Sequence, residues 1–68
     1  MQMTVVELGW TITATATPVA DKWGASCLLK NRGEPLDYIL DGMFDTPEAA
    51  CEAALVFGDR MVLENSGS

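Results

Sequence analysis

Thr46-Pro47-Glu48 is the feature that most limits how this chain can fold. Thr at a helix N-cap offers its hydroxyl to an orphan amide of the first turn. Pro at the first helical position has no amide to leave unpaired, and a Glu just behind it lies near the positive end of the helix dipole. A helix that starts here and runs through PEAACEAALVFGDRMVL places Ala50, Ala54, Phe57 and Met61 on one side, flanked by Cys51, Gly58 and Val62. The spacing predicts a helix from Pro47 to about Glu64. Its apolar side needs a sheet to cover, and everything upstream must supply it.

The upstream residues read as strands. From Trp10 the chain alternates, with Trp10, Ile12, Ala14 and Ala16 on one face and Thr11, Thr13, Thr15 and Thr17 on the other. Pro18 weakens the ladder and Ala20-Asp21-Lys22 reads as a turn. A second strand runs from about Trp23 to Lys30, with Trp23, Ala25, Cys27 and Leu29 facing the helix. Asn31 to Pro35 forms a loop, and a third strand spans Leu36 to about Met43. Gly42 is placed to bend the chain before Phe44 turns inward. Met1 to Glu7 either extends the first strand or lies loosely against the sheet, with Gly9 marking a bulge or the strand start. The expected core is Trp10, Ile12, Ala14, Cys27, Leu29, Tyr38, Leu40, Phe44, Ala50, Ala54, Phe57 and Met61. Short links favour an antiparallel meander. The expected architecture is α+β: a three-stranded antiparallel meander packed against one long C-terminal helix, a single domain over residues 1–65 with a polar tail at 66–68.

Composition narrows the function classes. A chain of 68 residues buries only about 60% of the surface its unfolded form exposes, so a core of this size gains from a disulfide, a metal or a partner subunit. Ten Asp and Glu stand against four Lys and Arg, a formal net charge of −6. A nucleic-acid binder needs a basic face, so none is expected as a partner. Each apolar run is too short for a membrane span, and the N-terminal residues lack the basic and apolar regions of a secretory signal. The expected compartment is the cytoplasm, and no membrane partner is expected.

Little in the sequence supports catalysis. There is no His, which removes the commonest general base and metal ligand, and leaves Ser26 and Cys27 without an activating partner. Cys27 and Cys51 are expected to be buried reduced thiols, and two cysteines do not make a zinc site. Asp41, Asp45, Glu48 and Glu52 form an acidic run that capping and a solvated helix face already explain. Neither a catalytic residue nor a metal or cofactor is expected. The alternative is a small-ligand or divalent-cation binder that uses Trp23 as a stacking platform or the acids Asp41, Asp45 and Glu48 as oxygen ligands.

Apolar surface is the more telling feature. Leu8 to Ala20 contains no charged residue, and in a three-stranded meander that strand is an edge, where Lys or bulges normally discourage pairing. The sheet face away from the helix shows Leu28, Ile39 and Met43 among the threonines. A second helix stripe, Ala49, Ala53, Val56 and Leu63, points away from the core. The expected function is therefore a non-enzymatic interaction module that forms a homodimer or higher homo-oligomer, or binds a protein partner. The candidate interface residues are Thr11, Thr13, Thr15, Leu28, Ile39, Val56 and Leu63.

Gly9-Trp10-Thr11-Ile12 and Phe44-Asp45-Thr46-Pro47-Glu48-Ala49-Ala50 give the chain a likeness across most of its length. It resembles a group of short uncharacterised bacterial proteins with a Gly-aromatic-x-Ile start, three strands and a Phe-Asp-Thr-x-Glu-Ala-Ala lead into one C-terminal helix. The resemblance implies a small βββα fold in a bacterial cytoplasm and carries no established activity. A sheet and helix of this kind also resemble part of the double-stranded-RNA-binding fold. Here the preceding helix is missing, and Asp45 and Glu48 stand where that fold has basic residues at the final helix start.

Overall fold

The computed structural model describes residues 1–33 and 35–66. Four strands, β1 (Gln2–Glu7), β2 (Trp10–Val19), β3 (Lys22–Lys30) and β4 (Leu36–Ile39), form one antiparallel sheet in the order β1-β2-β3-β4, followed by helix α1 (Pro47–Ser66). The architecture is α+β as expected, but the strand count corrects the three-stranded reading. Residues 2–7 are a strand of their own, paired to β2 from Gln2↔Thr15 to Glu7↔Trp10.

The extra strand hides behind an unusual turn. Leu8 and Gly9 link β1 to β2 with φ of 52° and 81°, the left-handed pair that a two-residue type I′ hairpin requires. Gly9 is thus the second turn residue, neither a bulge nor a strand start. Asn-Gly or Asp-Gly would have announced the turn. Leu does not, because a side chain in left-handed backbone costs about 1–2 kcal/mol. Ala20, with φ 56°, takes a similar position in the Ala20-Asp21 link between β2 and β3.

The new strand also relocates the edge. β2 pairs with β1 on one side and β3 on the other, so the uncharged stretch from Trp10 to Val19 is interior. Its lack of charge follows from that position. Pro18 fits the same geometry. The amide of Ala16 donates to the carbonyl of Met1 at 2.8 Å, so even-numbered residues of β2 point their amides towards β1. At Pro18 that direction lies past the end of β1, where a missing N–H breaks no ladder bond.

On the far side, β4 is shorter than expected. Gly42, at φ 95°, lets the chain leave the sheet after Leu40 and return at Phe44. There the backbones of Phe44 and Trp23 exchange two hydrogen bonds of 2.8 Å each. The helix follows at once. The amide of Ala49 donates to Thr46 Oγ1 at 3.1 Å, the N-cap bond read from the sequence. The helix extends beyond the predicted Glu64, and the Asn65 side-chain amide donates to the Met61 carbonyl at 2.8 Å. Of the tail expected at 66–68, Ser66 ends the helix and the remainder lies outside the described residues.

The helix packs mainly across β2 and β3 and touches β1 lightly. Ile12, Ala14, Ala16, Ala25, Cys27, Leu29, Ala50, Cys51, Ala54 and Val62 are buried. Trp10, Trp23, Tyr38, Leu40, Phe44, Phe57 and Met61 pack partly exposed around them. Small residues fill much of the space between helix and sheet, with Ile12, Leu29 and Val62 the largest side chains fully buried there. Large aromatics are displaced to the rim, where Tyr38 and Phe57 meet edge to face at 5.3 Å between ring centroids. The helix comes very near the sheet at Gly58, where a Cβ would stand 2.6 Å from Ile12 Cγ2 and 2.8 Å from Cys27 Sγ.

Candidate interaction surface

Antiparallel pairing places directly opposed residues on one face, which assigns every strand residue to a side. Gln2, Thr4 and Val6 of β1, Thr11, Thr13 and Thr15 of β2, Ser26 and Leu28 of β3, and Asp37 and Ile39 of β4 share the face away from the helix. No other element of the described residues covers it. Five of the predicted interface residues, Thr11, Thr13, Thr15, Leu28 and Ile39, lie together here. Thr13 stands opposite Leu28, and Ile39 opposite Ser26, with Ile39 83% exposed. Val56 and Leu63, 66% and 52% exposed, lie on the helix instead. They belong to the opposite side of the molecule, so the seven residues form two surfaces.

The residues that sequence reasoning missed are on β1 and at the two positions that flank it. Met1, Met3, Val5, Val6 and Leu8 supply five of the eleven large exposed hydrophobic side chains among the described residues, so apolar exposure concentrates at one edge of the sheet. Val6, 72% exposed, lies on the open face. Met3 and Val5 lie on the helix side, opposite Ala14 and Ile12. The signal was present in Val5-Val6, but without the Leu8-Gly9 turn it had no strand to belong to.

The two edges differ. The amino group and carbonyl of Met1 both engage Ala16. By alternation Met3, Val5 and Glu7 also bond to β2, while the amides and carbonyls of Gln2, Thr4 and Val6 point outward, unpaired. No charge, Pro or bulge interrupts those positions. β4, by contrast, has four residues. The amide of Leu40 donates to Ala25 at 3.0 Å, so by the same alternation only Asp37 and Ile39 point outward. A short edge strand bearing a carboxylate is a protected one.

The other candidates are spread apart. Lys22 Nζ donates to Asp45 Oδ1 in a surface ion pair. That hydrogen bond, helped by the lysine charge, holds the Asp45 carboxyl below its usual range. Among the described residues no three acids or cysteines gather as metal ligands. Trp23 packs, partly exposed, against the core. Cys27 and Cys51 are free and buried. Burial pushes the Cys27 thiol up, with the charge of Asp37 adding to it. The Cys51 thiol faces the Met1 carbonyl at 3.6 Å. Among the described residues no helix is long and apolar enough to cross a membrane.

No protein-family model, curated protein or solved structure matches this chain.

Proposed function

We propose that this protein is a small non-enzymatic interaction module that associates with itself or with another protein through the β1 edge and the adjoining open sheet face. The observation that supports this reading is the contrast between edges. β4 is short and acidic, while β1 presents three successive outward-facing residues without charge amid a cluster of exposed hydrophobic side chains. An unprotected apolar edge is a template for pairing.

The alternative, a small ligand or divalent cation held by Trp23 or by Asp41, Asp45 and Glu48, draws less support because Lys22 already engages Asp45. Nucleic acid remains disfavoured by the net charge of −6.

Sedimentation equilibrium across a wide range of protein concentration tests the proposal. A weight-average mass that rises with concentration, and falls back to the monomer in a Val6→Lys variant, is the expected result. A wild-type chain that stays monomeric at every concentration removes self-association.

A further inference from the structure

The β1 edge admits one twofold register with a second copy of this chain that pairs every outward backbone group, and we propose that it is used. Two β1 strands pair antiparallel about a twofold axis at Thr4, joining two four-stranded sheets into one of eight strands with both helices on the same face. The proposal rests on the association reading above and specifies its partner and register.

The outward backbone groups fix the geometry. Hydrogen-bonded antiparallel pairs must join residues that point outward on both copies, and those are Gln2, Thr4 and Val6. Centring on Thr4 matches Gln2 with Val6 of the second copy, Thr4 with Thr4, and Val6 with Gln2. Each N–H and each carbonyl of the three residues then finds a partner. Shifting the centre to Met3 or Val5 leaves one residue on each copy unpaired. The side chains agree with this register. Met3 faces Val5 of the second copy on the helix side, and the Thr4 pair is a favourable cross-strand match. The one charged residue of β1, Glu7, falls outside the paired segment.

A second copy fits this edge because the same three outward residues supply both halves of the match, Gln2 to Val6 and Thr4 to Thr4. The other edge explains closure. Pairing β1 to β4 of the next molecule would propagate an open filament, but β4 offers only two outward residues, one of them Asp37. The isologous contact closes as a dimer. A short edge contact is smaller than the roughly 800 Å² per partner of stable complexes, so the dimer exchanges with monomer and a covalent trap is the suitable probe.

Thr4→Cys and Val6→Cys make that probe, since the native cysteines are fully buried. In the Thr4-centred register the two Thr4 Cα atoms lie about 5.5 Å apart, within disulfide reach. The two Val6 Cα atoms lie about 14 Å apart, beyond it. Under mild oxidation Thr4→Cys should yield at least about tenfold more cross-linked dimer than Val6→Cys. Added salt should raise the yield, because it screens repulsion between two copies of net charge −6. Thr4→Pro should abolish association without unfolding the chain, since the Thr4 amide takes no part in the β1–β2 ladder. Equal yields for the two cysteines, or a dimer that survives Thr4→Pro, would overturn this geometry while leaving association intact. A monomeric wild type would remove both self-association and this geometry.

Discussion

Gly58→Ala sets two effects against each other, and the structure decides which wins. In a helix interior, Ala is favoured over Gly by about 1 kcal/mol, so an isolated helix would gain. Here the new methyl would sit 2.6 Å from Ile12 Cγ2, 2.8 Å from Cys27 Sγ and 3.3 Å from Leu29 Cδ2. Carbon atoms are comfortable only at about 3.5–4.0 Å. Ile12 is β-branched and fixed on an interior strand, so its Cγ2 does not swing away cheaply. Cys27 and Leu29 are fully buried, with little free space beside them. The remaining route is for the helix to lift off the sheet by about 1 Å, which forfeits a quarter to a half of each contact that Ala50 and Ala54 make beneath it.

Overpacking of this kind costs about 1–3 kcal/mol, and three affected neighbours place it at the upper end. Subtracting the propensity gain leaves a net loss of about 2 kcal/mol, or roughly 8–16 °C of melting temperature in a domain this small. Urea and thermal unfolding at one protein concentration measure it, with Gly33→Ala as the control. A Cβ at Gly33 meets nothing within 4 Å, so that variant should stay within about 0.5 kcal/mol of wild type. Adding Cys27→Ala to Gly58→Ala makes room for the methyl, and the double variant should be more stable than the sum of its single losses predicts. A Gly58→Ala protein more stable than wild type would refute the close helix-to-sheet approach.

Leu8→Asn should stabilise the protein by about 1 kcal/mol, because Asn tolerates left-handed backbone and makes the turn Asn-Gly; an unchanged or lower urea midpoint would count against the hairpin at Leu8-Gly9. Both thiols should resist a thiol-specific reagent in the native protein and react on unfolding, which a colorimetric titration with and without denaturant reads. Because burial raises the Cys27 pKa, the neutral thiol's contribution is intact below its ordinary value of 9.0 and is lost as pH climbs above it. Urea midpoints on the alkaline side should therefore fall more steeply in wild type than in Cys27→Ala. Asp45 has the opposite sign: its carboxyl titrates low, so the Lys22 pair favours folding above the usual carboxylate range and stops doing so as pH falls through the lowered value. An NMR titration should show Asp45 returning to its ordinary value in Lys22→Gln.

The helix was legible because its start signal is local: Thr46, Pro47 and Glu48 each satisfy a requirement within one turn. The β2 and β3 alternations were legible because one face is buried and the other is not. The identity of the edge was not. It depends on whether residues 2–7 pair, which turns on Leu8 accepting a left-handed conformation that its side chain disfavours. Tertiary pairing along six residues outweighs that local cost, and propensity has no means of reporting it. The candidate surface followed the same division. Thr11, Thr13, Thr15, Leu28 and Ile39 share a face because alternation is a period-2 property of the chain. Val56 and Leu63 had no such constraint tying them to the sheet.

One helix laid over two interior strands leaves an uneven periphery, and each flank answers it differently. On the β4 side Tyr38 meets Phe57 and the Phe44 backbone closes onto Trp23, so aromatic bulk and two hydrogen bonds extend the cover beyond the helix. On the β1 side the helix makes only light contact, and Met3 and Val5 remain about two-fifths exposed at 39% and 41%. At Gly58 the helix stands so near β2 and β3 that even a methyl would clash. The helix therefore makes most of its contact with the two interior strands and reaches β1 only lightly. In the dimer proposed above, the second copy's β1 would lie alongside Met3 and Val5 and take up part of that exposure.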